Sequence, residues 1–209
     1  MKIELENVLP GEIERRSFEI IESELPHPLD PLLAPIIKRV IHTTADFDYA
    51  DSLYFSENAV PLALKAFKSG ASIVTDTNMA RAGINQPALT KLGCKAFCFM
   101  ADEDVADAAK QKGTTRATAS MDKAAALGAP LIFAIGNAPT ALIRLYELID
   151  EGKIKPALII GAPVGFVNVV QAKALIMQTD IPCIVSRGRK GGSNVAAAIV
   201  NALMYRVMQ

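Results

Sequence analysis

The stretch Leu131-Ile132-Phe133-Ala134-Ile135-Gly136-Asn137-Ala138-Pro139-Thr140-Ala141-Leu142 has the pattern of a strand, a tight turn and the start of a helix. Its first five residues are all apolar, which is typical of a strand buried on both faces. Asn137 is suited to cap the following helix, with Pro139 in the first turn. A strand that passes through a short turn into a helix is the building unit of parallel α/β sheets.

The same unit recurs on both sides of this stretch. Strands are predicted at residues 72–75, 95–100, 131–135, 157–160 and 182–185. Helices are predicted at residues 11–25, about 30–44, 58–69, 77–81, 87–92, 102–112, 115–127, 138–151, 165–178 and 193–207. Residues 46–53 are predicted to be a polar connection or a short helix. The alternation predicts a single-domain α/β protein over residues 1–209, a three-layer α/β/α sandwich with a five-stranded parallel sheet.

Composition narrows the class of protein. The chain has 209 residues with a formal net charge of zero and no Trp, which argues against a nucleic-acid partner. Apolar residues are spread over short runs, far below the roughly 18 that cross a bilayer, so no membrane partner is expected. The segment MKIELENVLPGEIERRSF lacks the apolar core of a signal peptide, so we expect a cytoplasmic protein.

The turns after the predicted strands should meet at one edge of the sheet, where open parallel sheets bind ligands. These turns are Asp76-Thr77, residues 136–140, residues 161–166 and residues 186–194. Each leads into a helix, whose N-terminus attracts anions. Arg187, Arg189 and Lys190 add three positive charges within four residues. The combination predicts an anionic ligand with several carboxylates or phosphates.

Taken separately, these signals are less specific. The loop Gly188-Arg189-Lys190-Gly191-Gly192-Ser193-Asn194 has neither the phosphate-loop order nor the context of a dinucleotide fingerprint, and it also fits a turn with solvated charges. Arg116 lies at a predicted helix start, where the dipole disfavours a cation, and such a placement invites a functional explanation. Ser17 has no base near it in sequence, so a hydrogen bond to ligand or backbone is favoured over a nucleophile.

One of the chain's two histidines, His42, has a defined setting. Leu33, Ile36, Ile37 and Val40 recur at helical spacing and should form one buried stripe. His42 falls roughly opposite that stripe, so it should face solvent, a ligand or a partner subunit. It also lies in the last turn, where the helix dipole favours the protonated imidazole. The residue is therefore a candidate general acid, and the alternative is a surface histidine at a helix end.

The motif around His42, Ile36-Ile37-Lys38-Arg39-Val40-Ile41-His42-Thr43-Thr44-Ala45-Asp46-Phe47-Asp48, resembles the signature of the precorrin-8X methylmutase family of cobalamin biosynthesis. The resemblance is closest to the cobalt-precorrin-8 branch and extends from Arg16-Ser17-Phe18 to the last helix. Further matches are Thr75-Asp76-Thr77, Thr114-Thr115-Arg116, residues 136–142, residues 163–167 and residues 188–194. Asn168 and Val169 depart from the pattern, which has Gly and Ala there.

The resemblance implies an isomerase that moves a methyl group from C11 to C12 of cobalt-precorrin-8, or precorrin-8X, to give cobyrinate or hydrogenobyrinate. It implies His42 as the catalytic proton donor, no protein-bound metal and no cofactor, with any cobalt belonging to the substrate. It also implies a homodimer with the site near the interface. The substrate, an anionic corrinoid tetrapyrrole, is expected to contact Arg16, Ser17, Thr43, Asp76, Thr77, Arg116, Asn137, Arg187 and Arg189.

Two alternatives remain open on the residues alone. One is another isomerase acting on a phosphorylated substrate, because strand-end glycine loops and arginines also suit phosphate. The other is a non-catalytic tetrapyrrole-binding carrier. Turnover separates the carrier from the enzyme.

Overall fold

A computed structural model describes residues 3, 5–128 and 130–209; the predicted domain also includes Met1, Lys2, Glu4 and Ala129, which lie outside the described residues. The helices are α1 Ile13–Glu24, α2 Ala34–Thr44, α3 Tyr49–Ser52, α4 Ala59–Lys68, α5 Asn78–Gly83, α6 Gln86–Lys91, α7 Glu103–Lys112, α8 Arg116–Ala125, α9 Pro139–Asp150, α10 Val169–Met177 and α11 Ser193–Met208, and a 3₁₀ turn at Pro10–Glu12 precedes them. The strands are β1 Leu53–Phe55, β2 Ser72–Thr75, β3 Lys95–Phe97, β4 Leu131–Ile135, β5 Leu158–Gly161 and β6 Cys183–Ser186.

Over the described residues the sheet has six strands in the order β1-β6-β5-β4-β2-β3. The five predicted strands are confirmed as β2 to β6 and run parallel. The prediction of five strands was one short, because β1 adds an antiparallel edge with Leu53 opposite Ser186. Three residues following a single helical turn carry too little periodicity to be identified as a strand.

Helices cover both faces of the sheet, which confirms the three-layer sandwich. On one face α2, α4, α6 and α11 share a core with the sheet, and on the other α8, α9 and α10 do so. All five residues of β4 are buried, as expected for a central strand covered on both sides. Helix α11 packs against α2, α4 and α5, and most of its side chains are buried. Among the described residues, no helix has the length and apolar character needed to cross a membrane.

The strand order gives the described part of the sheet a topological switch point between β2 and β4. Neighbouring strands β2 and β4 both end at the same edge, but α5, which follows β2, covers the α11 face, whereas α9, which follows β4, covers the opposite face. The two chain segments diverge to opposite faces beyond these strand ends. Such a topological switch point is where open α/β sheets bind ligands.

Candidate active site

Asp76 bridges the switch point. The residue is fully buried, and its carboxylate accepts hydrogen bonds from the backbone N–H groups of Gly136 at 2.9 Å, Asn137 at 2.8 Å and Ala138 at 2.6 Å. Burial raises the pKa of Asp76, and the three N–H donors act in the opposite direction. The carboxylate that follows β2 therefore fixes the turn that precedes α9.

The predicted helix cap at Asn137 is wrong. The N-cap of α9 is Ala138, which makes no side-chain cap hydrogen bond, and Pro139 is the first helical residue, as expected. Asn137 is exposed, and its own backbone N–H donates to Asp76 in the turn before the helix. A hydrogen bond to a residue 61 positions away has no local sequence signal. The exposed side chain of Asn137 lies at the strand-end edge of the sheet.

Three strand-end turns converge next to Asp76. Thr77 caps α5 by accepting a hydrogen bond from Ala80 N at 3.0 Å, and its hydroxyl lies 2.7 Å from the hydroxyl of Ser193 at the start of α11. Gly136 lies so close to Ser193 that a Cβ on the glycine would be 2.6 Å from the Ser193 Cα. Thr77 and Asn137 are thus brought to the same edge of the sheet, as the sequence predicted.

The basic loop, defined as residues 187–192, follows β6. Its backbone is bonded by Lys173, a residue that the sequence analysis missed. The ammonium of Lys173 in α10 donates to the hydroxyl of Ser186 at 3.2 Å and to the carbonyls of Gly188 at 2.9 Å and Lys190 at 2.8 Å. Gly191 has φ +157°, and a Cβ there would lie 2.2 Å from the Ala162 carbonyl oxygen. The available signal was that Lys173 is the one charged residue in the otherwise uncharged segment 169–177.

Lys190 joins the basic loop to the His42 motif. Its ammonium lies 2.7 Å from the carboxylate of Asp46 and also pairs with Asp48. The hydrogen bond from Lys190 lowers the pKa of Asp46. Of the three positive charges predicted on this loop, that of Lys190 is compensated by these two aspartates.

The two remaining cations of the basic loop lie on aromatic rings. The guanidinium of Arg187 is 4.9 Å from the centre of the Tyr54 ring, and that of Arg189 is 5.4 Å from the centre of the Phe166 ring. Both arginines are exposed. Among the described residues neither takes part in an ion pair. Their N–H groups are oriented by stacking and remain available to an anion.

Arg116 approaches the same edge from the other side of the sheet. It is the exposed first residue of α8, and the preceding Thr115 places its hydroxyl 3.0 Å from that of Thr140 in the first turn of α9. The contact puts Arg116 beside the start of α9. Over the residues that the structure describes, Arg116 also has no carboxylate partner.

His42 lies in the last turn of α2 and is exposed, as predicted. The buried stripe also includes Ile41, which the sequence analysis left out. The imidazole packs against the ring of Phe18 from α1, with centroids 5.4 Å apart and planes tilted by 57°. Thr43 follows His42 and lines a groove of about 240 Å³ together with Asn194 from the start of α11. His42 and Thr43 are therefore at the end of α2 that meets the strand-end loops.

Arg16 and Ser17 lie one helix further out, on α1, which packs against α2. Arg16 Nε donates to Glu6 at 2.6 Å, and this bond raises the pKa of Arg16. The hydroxyl of Ser17 donates to the Ile13 carbonyl at 2.8 Å. A groove of about 570 Å³ on the same helix is lined by Glu14, Glu19 and Glu22. These glutamates pair with Arg39, Arg15 and Lys38, respectively. Arg16 and Ser17 therefore lie on the helix whose Phe18 contacts His42, and they are not part of the strand-end turns.

Within residues 3, 5–128 and 130–209, no three His, Cys, Asp or Glu side chains form a group that could hold a metal ion.

Asn168 has φ +57°, a left-handed conformation that glycine adopts freely and asparagine tolerates. The substitution of Gly by Asn therefore fits the backbone at that position.

Comparison with known proteins agrees with this geometry. The precorrin-8X methylmutase family model matches residues 12–206. The chain is 45% identical to the cobalt-precorrin-8 methylmutase of Priestia megaterium, over 94% of this chain and 88% of the relative, and 42% identical to that of Salmonella typhimurium, over 96% and 97%. The solved precorrin-8x methyl mutase of Thermus thermophilus superposes with a TM-score of 0.86 at 40% identity, covering 94% of this chain and 98% of that one. The chain therefore belongs to the precorrin-8X methylmutase family and is an isomerase.

Proposed function

We propose that the protein moves a methyl group from C11 to C12 of cobalt-precorrin-8 and forms cobyrinate in cobalamin biosynthesis. The observation that carries the proposal is the link between an exposed His42 and the strand-end arginines. The His42 motif is bonded through Lys190 to the basic loop, which presents Arg187 and Arg189 to solvent. The two relatives described above are both named for the cobalt form of the substrate.

The arginines account for recognition of the substrate's edge. A corrinoid precursor is a large apolar ring with carboxylates around it, so its ligand site needs cations at separated points. Arg187 and Arg189 lie beyond β6, and Arg116 lies beside the start of α9. Each can form a charge-assisted, two-pronged hydrogen bond with a carboxylate. The rings of Tyr54 and Phe166 beside two of the arginines add apolar contact area.

His42 accounts for the chemistry. In a 1,5-sigmatropic shift the bond from the methyl group to C11 breaks as a bond to C12 forms, and the conjugated electron pairs move by one position. No electron is gained or lost, so the reaction needs no oxidant, reductant or transferred cofactor, and cobalt enters as part of the substrate. A proton or hydrogen bond from His42 to the macrocycle withdraws electron density and makes migration easier.

The site is proposed to be completed near the interface of a homodimer. The groove beside Thr43 measures about 240 Å³, and a site that encloses a drug-sized ligand usually measures about 300–1,000 Å³, so a macrocycle must extend beyond it. Exposed apolar side chains on the N-terminal segment offer a surface for a second copy: Ile3, Leu5, Leu9 and Ile13. Sedimentation equilibrium should give twice the chain mass, and a monomer that turns over substrate would contradict this part of the proposal.

The experiment that tests the function follows the visible spectrum of the purified protein mixed with cobalt-precorrin-8 or with cobalt-free precorrin-8. Methyl migration alters the conjugated system, so a time-dependent change is expected, faster with the cobalt form. A substrate labelled with ¹³C in the migrating methyl should show transfer from C11 to C12 by NMR. An immediate shift without further change would indicate a carrier, and no spectral response would reject the corrinoid.

A further inference from the structure

Lys173 is a buried cation directly beneath the basic loop. Its residue is 1% exposed, and its hydrogen-bond acceptors are one hydroxyl and two backbone carbonyls. Over the residues that the structure describes, no carboxylate pairs with this ammonium. A buried charge that lacks a counter-ion is costly, and its retention beside a ligand site calls for an explanation in terms of the ligand.

The hydrogen bonds around Lys173 anchor three consecutive carbonyls of the basic loop. Lys173 binds the carbonyls of Gly188 and Lys190, and the intervening Arg189 carbonyl accepts a hydrogen bond from Gly165 N at 3.1 Å. The Lys190 carbonyl also accepts from the hydroxyl of Ser186 at 2.8 Å. With all three carbonyls directed inward to these donors, the position of Arg189 on the outer side is set by the bonds beneath it.

The ammonium remains charged near neutral pH. Desolvation lowers the pKa of Lys173 to about 8, which is still above neutral pH. The loop above it has the exposed Arg187 and Arg189, whereas Lys190 is already compensated by two aspartates. The local excess of positive charge is thus larger than the surface arginines alone suggest.

We propose that Lys173 is a positioning residue for substrate binding: its ammonium holds the backbone of the basic loop and supplies a buried positive charge whose counter-ion is a carboxylate of the bound substrate. This inference rests on the proposed function, because it takes the ligand to be a polycarboxylate. It assigns to α10, through Lys173, a part in recognition that side chains at the surface do not reveal.

The test measures binding of cobyrinate and of its fully amidated, uncharged form by calorimetry. The variants are K173M, which removes charge and donors, and K173Q, which keeps an N–H donor group without charge. The matched control is K155M, which removes an exposed lysine near the amino end of β5. K173M should weaken binding of cobyrinate about tenfold or more, the loss expected for a charged hydrogen-bond donor, whereas K155M should leave it unchanged.

Binding of the amidated form should change less than about threefold in K173M, and kcat at saturating substrate should be similarly unaffected, because the loss is one of uniform binding. K173Q should restore the unfolding midpoint more fully than cobyrinate affinity. Equal losses for the charged and uncharged ligands, or no loss for either, would overturn the proposal. So would loss of native circular dichroism in both variants, which would make Lys173 a stability residue. Failure of the native protein to bind cobyrinate or turn over cobalt-precorrin-8 would instead reject the proposed function itself.

Discussion

Replacing Asp76 by alanine should destabilise the protein and displace the start of α9. The native carboxylate satisfies the N–H groups of Gly136, Asn137 and Ala138 in a fully buried position. Alanine leaves these three donors without their partner, and each buried unsatisfied group costs about 1–3 kcal/mol. The substitution also removes a charge whose burial is unfavourable, as the raised pKa of Asp76 shows. The net loss expected is about 2–4 kcal/mol of unfolding free energy.

The assay is equilibrium urea unfolding with linear extrapolation to water. Asp107→Asn is the matched control, because Asp107 is exposed on α7 and its substitution should change stability by less than about 0.5 kcal/mol. D76N, which retains one acceptor oxygen, should lie between the control and D76A. If D76A is as stable as D107N and remains native by circular dichroism, the carboxylate does not hold the two strand ends together and the reasoning fails.

Three further outcomes follow from the basic loop. R187A and R189A should each weaken cobyrinate binding by about 1–3 kcal/mol by calorimetry, the value of a charged hydrogen bond, whereas K155A should not, and two unaffected arginine variants would mean that the anion site lies elsewhere. K190A should raise KM about fivefold, because it releases the basic loop from the His42 motif. The thermal unfolding midpoint should change little, because exposed ion pairs contribute little stability. An unchanged KM would show that the ion pairs between the basic loop and the His42 motif do not affect substrate binding. The pKa of Lys173 falls from 10.5 in the unfolded state to about 8 in the folded state, so the unfolded state binds more protons between those pH values. The stability of the native protein relative to K173M should therefore rise by about 3 kcal/mol between about pH 8 and pH 10.5. A stability difference that stays constant with pH would show that the pKa of Lys173 is not lowered by folding.

The sequence was sufficient for the parallel core of the fold because each buried strand is a short apolar run that ends in a turn. The β4 segment 131–135 was predicted with its observed bounds, and so was β2 at 72–75. The edge strand β1 was missed, because Leu53–Phe55 becomes a strand only by pairing with β6. Strand β3 ends at Phe97, three residues earlier than predicted, because its pairing with β2 ends there and the residues up to Met100 have no partner strand in the described part of the chain.

The candidate site divides in the same way between local and long-range information. The exposure of His42 follows from helical periodicity, so it could be predicted. The bonds from Asp76 to the α9 turn, from Lys173 to the basic loop and from Lys190 to Asp46 join residues far apart in sequence, and no local pattern encodes them. These contacts add to the interpretation of the site. Asp76 is a structural bridge and Lys190 a compensated charge, and the substrate contact predicted for Asp76 stays a prediction.

The most direct test of the account is the turnover of cobalt-precorrin-8 by His42→Asn, with His27→Asn as the matched control. His42 is exposed in the last turn of α2, so the variant should keep native circular dichroism and bind cobyrinate with near-native affinity through the arginines. His27 lies outside the site, paired with Asp51. H42N should lower kcat about 100-fold or more, the usual loss for a general acid, while H27N should turn over at the native rate. An H42N variant that retains turnover within a few-fold of the native enzyme would contradict the assignment of His42 as the proton donor.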